Sequence, residues 1–292
     1  MPENNEDTAG QIRKAVSVIR ELRPAYKTLL DFYGQIFVAQ ETSKSRTHII
    51  AIQIPEEVLS VKIREEFPLI SMSEFAIDTE AYESLSREIC SIAERDHGNM
   101  AVPAKMLIHA ADTGKIELRS LFSGLLEGNS SFFEKITGEL GIEKDSLAFL
   151  TYNSIKPSLS LCAEQLSGYL DTDNKWEKGY CPICGNPPAV SSLEGEGERF
   201  LFCGFCWHKW HVPRLFCPFC DNRDGKTLRY FYSEEEKEYR ADVCDKCKKY
   251  VKTVDTRKIE RMFHPPLEHI STLHLDMQAK DMGLESGVQT GL

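Results

Sequence analysis

Eight of the ten cysteines occur as four pairs, and two residues separate the cysteines of each pair. Two thiolates at this spacing can bind one metal ion, because the turn between them curls back on itself. Four thiolates complete a tetrahedral site for zinc or iron, so four pairs predict two metal ions per chain. The predicted ligands are Cys181, Cys184, Cys203, Cys206, Cys217, Cys220, Cys244 and Cys247.

The lengths of chain between the pairs predict which pairs share an ion. Eighteen residues separate the first pair from the second and 23 separate the third from the fourth, in each case enough for a hairpin. Only ten residues separate Cys206 from Cys217. We therefore expect the first two pairs to form one four-cysteine site, the last two pairs to form another, and the two sites to be neighbours.

The residue that follows each pair bears on the shape of the turn. Gly185 can adopt the left-handed conformation that directs backbone N–H groups towards sulfur, and Asp221 tolerates it. Trp207 and Lys248 disfavour this conformation because of their Cβ atoms. We therefore expect the turns that end at these two residues to be shaped differently from the other two.

Other residues with possible chemistry are expected to pack instead. His208 and His211 are expected to serve packing or surface polarity, since each site already has four thiolates. The tryptophans Trp207 and Trp210 are expected to cover the junction of the two sites. The remaining cysteines, Cys90 and Cys162, lie on apolar helical faces and are expected to be buried.

Length and composition indicate an ordinary globular protein in the cytoplasm. The N-terminal segment MPENNEDTAGQ is acidic and polar, unlike a signal peptide, and the apolar runs are far shorter than the roughly 20 residues of a membrane span. In the cytoplasm thiols stay reduced, so paired cysteines indicate metal binding more than disulfides. The formal net charge of −10 argues against a general nucleic-acid-binding protein.

Helical periodicity dominates the first part of the chain. Apolar residues recur at helical spacing within 9–40, where Pro24 is expected to begin a second helix. Asp78 is expected to cap the N-terminus of a further helix, and Ser131–Glu134 has the pattern of a capping box. Pro157 is expected to begin the last helix of this region.

From Trp176 onward, short strand candidates alternate with turns. Gly195–Gly197 predicts the tip of one hairpin, and the acidic Glu234–Glu238 the tip of another. A single helix is expected from Pro266 to Gly283. Its buried face is expected to consist of Leu267, Ile270, Leu273 and Met277.

These patterns together predict an α+β protein of four parts. A mainly helical N-terminal domain is expected over 1–172, followed by a first four-cysteine module over 173–213. A second four-cysteine module is expected over 214–260, and a C-terminal helix with a tail over 261–292.

Several segments carry a family resemblance that covers most of the chain outside 48–150. Around the cysteines these are CPICGNPP (Cys181–Pro188), RFLFCGFCWHKWHVPRLFCPFC (Arg199–Cys220) and CDKCKKYVK (Cys244–Lys252). LEHISTLHLDMQAKDMG (Leu267–Gly283) resembles the closing segment of the same family, and RPAYKTLLDFYGQIFVAQ (Arg23–Gln40) is similar to its early helix but less diagnostic. The sequence resembles the FdhE family, the formate dehydrogenase accessory (formation) proteins.

The resemblance implies two tandem rubredoxin-like modules, each with one metal ion, after the helical domain. It also implies an assembly factor rather than an enzyme, acting on the catalytic subunit of a molybdenum- or tungsten-containing formate dehydrogenase in the cytoplasm. Iron would permit redox cycling and zinc would be structural, and thiolate ligands accept either. A homo-oligomer is compatible with such a role.

Two other classes of protein share parts of the pattern. Paired zinc ribbons occur in nucleic-acid-binding proteins, where Arg214, Lys248, Lys249 and Lys252 could contact phosphate groups. A thiol-disulfide enzyme could use CPIC or CPFC, but it would need a pair that is free of metal.

Overall fold

The computed structural model describes residues 7–96, 98–170 and 176–288, which group into two compact units. The first unit consists of the described residues among Met1–Ile52 and Met72–Cys162. The second consists of those among Gln53–Ser71 and Ala163–Gln289. The α+β fold class is confirmed, since a helical N-terminal region precedes a sheet with two cysteine clusters and C-terminal helices.

Helices make up most of the first unit, and the second unit adds short ones. The helices within the described residues are α1 (Thr8–Leu22), α2 (Lys27–Lys44), α3 (Glu56–Arg64), α4 (Thr79–Asp96), α5 (Ala101–Asp112), α6 (Leu118–Leu126), α7 (Ser130–Leu140), α8 (Lys144–Ser167), α9 (Pro265–Ser271) and α10 (Leu273–Asp281).

One sheet extends through the second unit. Its strands are β1 (Pro188–Glu194), β2 (Glu198–Cys203), β3 (Lys209–Val212), β4 (Leu228–Phe231), β5 (Tyr239–Cys244), β6 (Lys249–Asp255) and the two-residue β7 (Glu285–Ser286). Their order is β3-β2-β1-β6-β5-β4, with β7 paired to β6. In this order, neighbouring strands are antiparallel except for β1 and β6, which are parallel. The β1–β6 pair joins two halves of the sheet, one around the first two cysteine pairs and one around the last two.

Two helix starts show where the sequence patterns succeeded and failed. As predicted, Asp78 caps α4, because its Oδ1 accepts a 3.0 Å hydrogen bond from the amide of Ala81. The predicted capping box at Ser131–Glu134 is wrong. Asn129 caps α7 instead, since its Oδ1 accepts a 3.0 Å hydrogen bond from the amide of Phe132 and the helix already begins at Ser130.

The prediction that Pro157 begins a helix is also wrong, because this proline lies inside α8. A proline in a helix leaves the carbonyl four residues earlier without its usual N–H donor. That carbonyl belongs to Asn153, and Nε2 of Gln40 on α2 donates a hydrogen bond of 2.8 Å to it. A side chain from another helix therefore replaces the missing backbone donor.

The C-terminal segment forms two helices, and the single helix expected from Pro266 to Gly283 is wrong. The break lies at Thr272, whose hydroxyl donates to the carbonyl of Glu268 at 2.7 Å. Leu275 and Ala279 are buried together with Leu267, whereas Leu273 and Met277 of the predicted buried face are exposed.

The helices α9 and α10 supply the hydrophobic core on one face of the sheet. Leu275 packs with Val190, Phe202, Tyr239 and Val254, four residues from four different strands. Ala279 packs with a second group that includes Ala241, Val243 and Tyr250. Among the described residues, no helix is both long and apolar enough to cross a membrane.

Candidate metal centres

The first cluster brings together the thiols of the first and second cysteine pairs. The Sγ atoms of Cys181 and Cys206 are 3.7 Å apart. The Sγ atom of Cys184 lies 3.5 Å from that of Cys203 and 3.6 Å from that of Cys206. All four side chains are buried.

The second cluster brings together the thiols of the third and fourth pairs. The Sγ atoms of Cys217 and Cys247 are 3.6 Å apart, and those of Cys220 and Cys244 are 3.7 Å apart. The sequential pairing predicted from the spacing is therefore the arrangement in the fold. In contrast to the first cluster, Cys220 and Cys247 are partly exposed.

The geometry of both clusters fits a tetrahedral metal ion. Four sulfurs at the Zn–S distance of about 2.3 Å are separated by roughly 3.8 Å from one another. The Sγ separations above are close to this value and far above the roughly 2.05 Å of a disulfide. Two groups of four cysteines in this chain can therefore hold two metal ions, and four thiolates accept zinc or iron alike.

All four turns that carry the cysteine pairs end at a residue with left-handed backbone. The residues after the pairs have positive φ angles: 75° at Gly185, 60° at Trp207, 55° at Asp221 and 60° at Lys248. The expectation that the turns at Trp207 and Lys248 would differ is wrong. In each of those turns the main chain is held by hydrogen bonds, such as the 2.8 Å bond from the amide of Lys248 to the carbonyl of Cys244, which offset the cost of a left-handed side-chain residue.

Two asparagines that were not among the predicted site residues donate hydrogen bonds to cluster sulfurs. Nδ2 of Asn186 lies 3.5 Å from Sγ of Cys184, and Nδ2 of Asn222 lies 3.4 Å from Sγ of Cys244. Each asparagine stands two residues after the second cysteine of a pair, and this repeated position was the available signal. Donors of this kind orient thiolate ligands and stabilise their negative charge.

In each cluster, hydrogen bonds favour the thiolate form of one cysteine. Burial opposes ionisation of Cys244, but hydrogen bonds from the backbone amide of Cys247 and from Asn222 outweigh it and lower the pKa of this thiol to about 7. In the first cluster, hydrogen bonds from the neighbouring cysteines lower the pKa of Cys184 well below its usual value. Each cluster thus contains a sulfur prepared for metal binding.

A buried arginine connects the two halves of the sheet next to the second cluster. Arg199 lies on β2 and is 3% exposed. Its Nη1 donates to the carbonyl of Phe216 at 2.7 Å, and its Nη2 lies 3.3 Å from Oδ2 of Asp242 on β5. Phe216 immediately precedes Cys217, so this guanidinium fixes the backbone just before the third cysteine pair.

A segment far away in sequence supports the first cluster. The amides of Leu69 and Ile70 each donate a 2.9 Å hydrogen bond, to the carbonyls of Pro182 and Ile183. These carbonyls lie within the first cysteine turn, between Cys181 and Cys184. Residues 69–70 thus provide backbone support that the local sequence pattern does not reveal.

The histidines near the clusters lie outside both groups of four thiols, as expected. The carbonyl of His208 accepts a 3.0 Å hydrogen bond from the amide of Cys203, and the His211 ring packs against Phe200. Cys90 and Cys162 are buried as predicted, and burial raises the pKa of Cys90 to about 12 and that of Cys162 to about 11.

The two tryptophans have different environments. Trp207 packs against the core formed by strands from both halves of the sheet, as predicted for a residue at their junction. Trp210 lies on the outer strand β3, where its Nε1 donates to the carbonyl of Lys178 at 3.1 Å, so its predicted place at the junction is wrong.

Known proteins match this chain in both sequence and structure. Residues 180–214 match the family model described as "FdhE, central domain", and residues 215–290 match "FdhE, C-terminal domain". A "Protein FdhE homolog" from Aquifex aeolicus is 28% identical over 272 residues, covering 92% of this chain and 89% of that protein. "Protein FdhE" from Escherichia coli O1:K1 / APEC is 29% identical over 133 residues, covering 43% of this chain and 42% of the relative.

The fold also has a counterpart among solved structures. The crystal structure of the FdhE protein from Pseudomonas aeruginosa matches with a TM-score of 0.60 and 16% identity, covering 98% of this chain and 96% of that one. The fold and its clusters define a protein with two four-cysteine groups, each able to hold a metal ion, on one shared sheet. In sequence the chain is similar to FdhE proteins over 92% of its length, and its residues 180–290 match the two FdhE family models.

Proposed function

We propose that this protein is an accessory, or maturation, factor for a formate dehydrogenase that contains molybdenum or tungsten. It binds the catalytic subunit of that enzyme in the cytoplasm and promotes assembly of its active form. Similarity to the FdhE family supports the accessory role. The observation that carries the proposal is the pair of preformed four-cysteine clusters on one sheet in a chain similar to that family.

The eight paired cysteines are the metal ligands in this proposal, one ion in the module of residues 173–213 and one in the module of 214–260. Four thiolates close the coordination shell of each ion and leave no position for a substrate. This donor set supports a role other than metal-dependent hydrolysis and favours a non-enzymatic factor. Zinc would make the sites structural, whereas iron would add a redox function.

Genetic complementation in the organism that encodes the chain tests the proposed role. Deletion of the gene is expected to abolish formate oxidation while the dehydrogenase polypeptide is still present. The wild-type gene should restore the activity, and a variant with Cys181→Ser and Cys244→Ser should not. Normal formate oxidation in the deletion strain would rule out the proposed function.

The metal content of the purified protein tests the ligand assignment. Anaerobic purification followed by elemental analysis should give about two zinc or iron ions per chain, as two sites of four thiolates require. Titration of free thiols should show the eight paired cysteines protected before chelation and reactive after it. A reactive pair in the metal-loaded protein would favour a thiol-disulfide enzyme, and tight, salt-sensitive binding of tRNA or duplex DNA would favour a nucleic-acid-binding protein.

A further inference from the structure

A groove of about 240 Å³ lies beside the second cysteine cluster. Strand β5 contributes Arg240 and Asp242 to its lining, and these alternate with Tyr239 and Ala241, which pack into the cores beneath α10. The groove therefore lies on the sheet face opposite to the C-terminal helices. We call it the cationic groove, and its defining residues are Arg199, Arg214, Arg229, Tyr230, Arg240 and Lys249.

The cationic groove has more positive than negative side chains. Five cations and one carboxylate, Asp242, contribute to its lining. That carboxylate is already shared, because Arg199 and Arg240 both pair with it and the hydroxyl of Thr253 donates to it. The groove therefore has no further carboxylate to neutralise its remaining cations.

Two of the cations are available to a partner. Arg229 pairs with Asp245 outside the groove at 3.0 Å. By contrast, Arg214 and Lys249 make no ion pair with any described residue, and Arg214 is exposed. An incoming carboxylate could thus pair with either side chain without breaking an existing ion pair.

The neighbouring metal cluster does not cancel this surplus. Cys217 and Cys244 border the groove. Four thiolates around one divalent ion carry a net charge of about −2. Subtracting this charge, that of Asp242 and that of Asp245, which pairs with Arg229, from five cations leaves the region at about +1, in a chain whose formal net charge is −10.

Exposed apolar and aromatic side chains lie at the rim of the groove. Leu215 is 59% exposed and Tyr230 is 55% exposed, both high values for residues of these types. The ring of Tyr230 stacks on Tyr232 and lies over the guanidinium of Arg240. Exposed tyrosine and arginine side chains around a concave surface are typical of the energetically important residues in protein–protein interfaces.

Size and charge together indicate what kind of partner fits. Small-molecule sites usually have volumes of about 300–1,000 Å³, so the groove is smaller than a typical cofactor or nucleotide pocket. Its volume suits a few side chains of a protein segment. The strongly negative chain as a whole disfavours nucleic acid. Carboxylates complement the surplus cations, and apolar side chains complement Leu215 and Tyr230.

We propose that the cationic groove docks an acidic segment of a protein partner, with carboxylates at Arg214 and Lys249 and apolar side chains at Leu215 and Tyr230. The identity of this partner as the catalytic subunit of formate dehydrogenase rests on the proposed function. The docking surface itself rests on the charges and exposures of the groove residues.

Charge reversal in the full-length, metal-loaded protein tests the proposal. The double variant Arg214→Glu, Lys249→Glu removes the two unpaired cations. The matched control Lys105→Glu, Lys135→Glu changes the net charge equally at exposed positions of the helical unit. A third variant, Leu215→Ser, removes an apolar rim contact without changing charge, and Leu22→Ser is its control at a similarly exposed position. Metal content of two ions per chain confirms that each variant is folded.

Two binding partners distinguish the groove from the proposed function. One is the purified catalytic subunit, and the other is a fluorescein-labelled peptide that alternates glutamate and leucine, with a lysine–leucine peptide for comparison. We expect wild type to bind the subunit and the glutamate peptide, the Arg214→Glu, Lys249→Glu variant to bind both at least tenfold more weakly, and Leu215→Ser to bind both several-fold more weakly. Both control variants should remain within twofold of wild type.

Different results would overturn the docking surface and the proposed function. If wild type binds the subunit and the charge-reversal variant binds it equally well, the docking surface is overturned and the proposed function stands. If the subunit does not bind but the glutamate peptide binds in a manner sensitive to the variant, the groove stands and the proposed client is overturned. If wild type does not bind the subunit and binds the glutamate peptide no better than the lysine peptide, the docking surface is overturned.

Discussion

Arg199 donates a hydrogen bond of 2.7 Å from its Nη1 to the carbonyl oxygen of Phe216. Arg199 lies on the strand that ends at Cys203, a member of the first cluster, whereas Phe216 directly precedes Cys217, a member of the second. The same guanidinium pairs with Asp242, two residues before Cys244. One buried side chain therefore connects the strand of one cluster to both cysteine turns of the other.

Replacing this arginine should loosen the second cluster more than the first. Arg199→Met removes the donor to the buried Phe216 carbonyl and leaves Asp242 with Arg240 and Thr253 as partners, which should cost about 1–3 kcal/mol of stability. We expect the second metal ion to be released roughly tenfold faster, since partners that orient ligands have effects of this size. Transfer of the metal to a chromophoric chelator should show two kinetic phases, which Cys181→Ser and Cys244→Ser variants assign to their sites.

The matched control is Arg229→Met, which removes an arginine whose ion pair with Asp245 is at the surface. Such pairs contribute little to stability, so the release of both ions should be nearly unchanged. Equal acceleration of both phases by Arg199→Met would contradict a specific link to the second cluster.

The two asparagines should each act on one cluster. Asn186→Ala removes the donor to Cys184, and Asn222→Ala removes the donor to Cys244. We expect each variant to lower the metal affinity of its own site about tenfold and to leave the other site unchanged. Competition with a chelator of known affinity measures both constants, and each variant is the control for the other. Loss of affinity at both sites in either variant would refute this division.

Relief of backbone strain should stabilise the fourth cysteine turn. Lys248 has a φ of 60°, which glycine adopts without the steric cost of a Cβ atom. We expect Lys248→Gly to raise the free energy of unfolding of the metal-loaded protein by about 1 kcal/mol. Lys249→Gly, at the start of β6 where φ is not positive, should instead lower it. Denaturant titration compares the two, and destabilisation of equal size in both would show that the turn is not strained.

The proline inside α8 predicts a coupling between two helices. Gln40→Leu removes the donor to the Asn153 carbonyl and should lower the free energy of unfolding by about 1–3 kcal/mol. In the Pro157→Ala background the backbone N–H at position 157 can donate to this carbonyl, so the same change should cost much less. A double-mutant cycle monitored by circular dichroism measures the difference. Additive effects would show that Gln40 does not replace the backbone donor.

The cysteine clusters could be predicted from the sequence because their signal is local. Two residues separate the members of each pair, and the chain between pairs is short enough to restrict their combination. The supporting contacts are not local. Arg199 reaches Asp242, 43 positions further on, and Leu69 donates to Pro182, so no window of neighbouring residues contains either signal.

Tertiary contacts also decided the elements that were predicted wrongly. Pro157 usually begins a helix, yet here Gln40 satisfies the carbonyl that the proline leaves free. Lys248 and Trp207 disfavour left-handed backbone, yet the closed cysteine turns impose it. The parallel pairing of β1 with β6 has no sequence pattern at all, because its partners lie about 60 positions apart.

This parallel pairing has a consequence for how copies of the chain could meet. It joins the first strand of one three-stranded ribbon to the last strand of the next, which is a head-to-tail repeat. The two edges of the sheet are β3, the last strand of the first ribbon, and β4, the first strand of the second. The β4 edge of one chain could therefore pair with the β3 edge of another, and repetition of this contact would give an open-ended assembly. Each of these strands has only four residues, and such short edges offer few unpaired backbone groups to a newcomer. The short edge strands β3 and β4 thus disfavour the addition of further chains and growth into fibres.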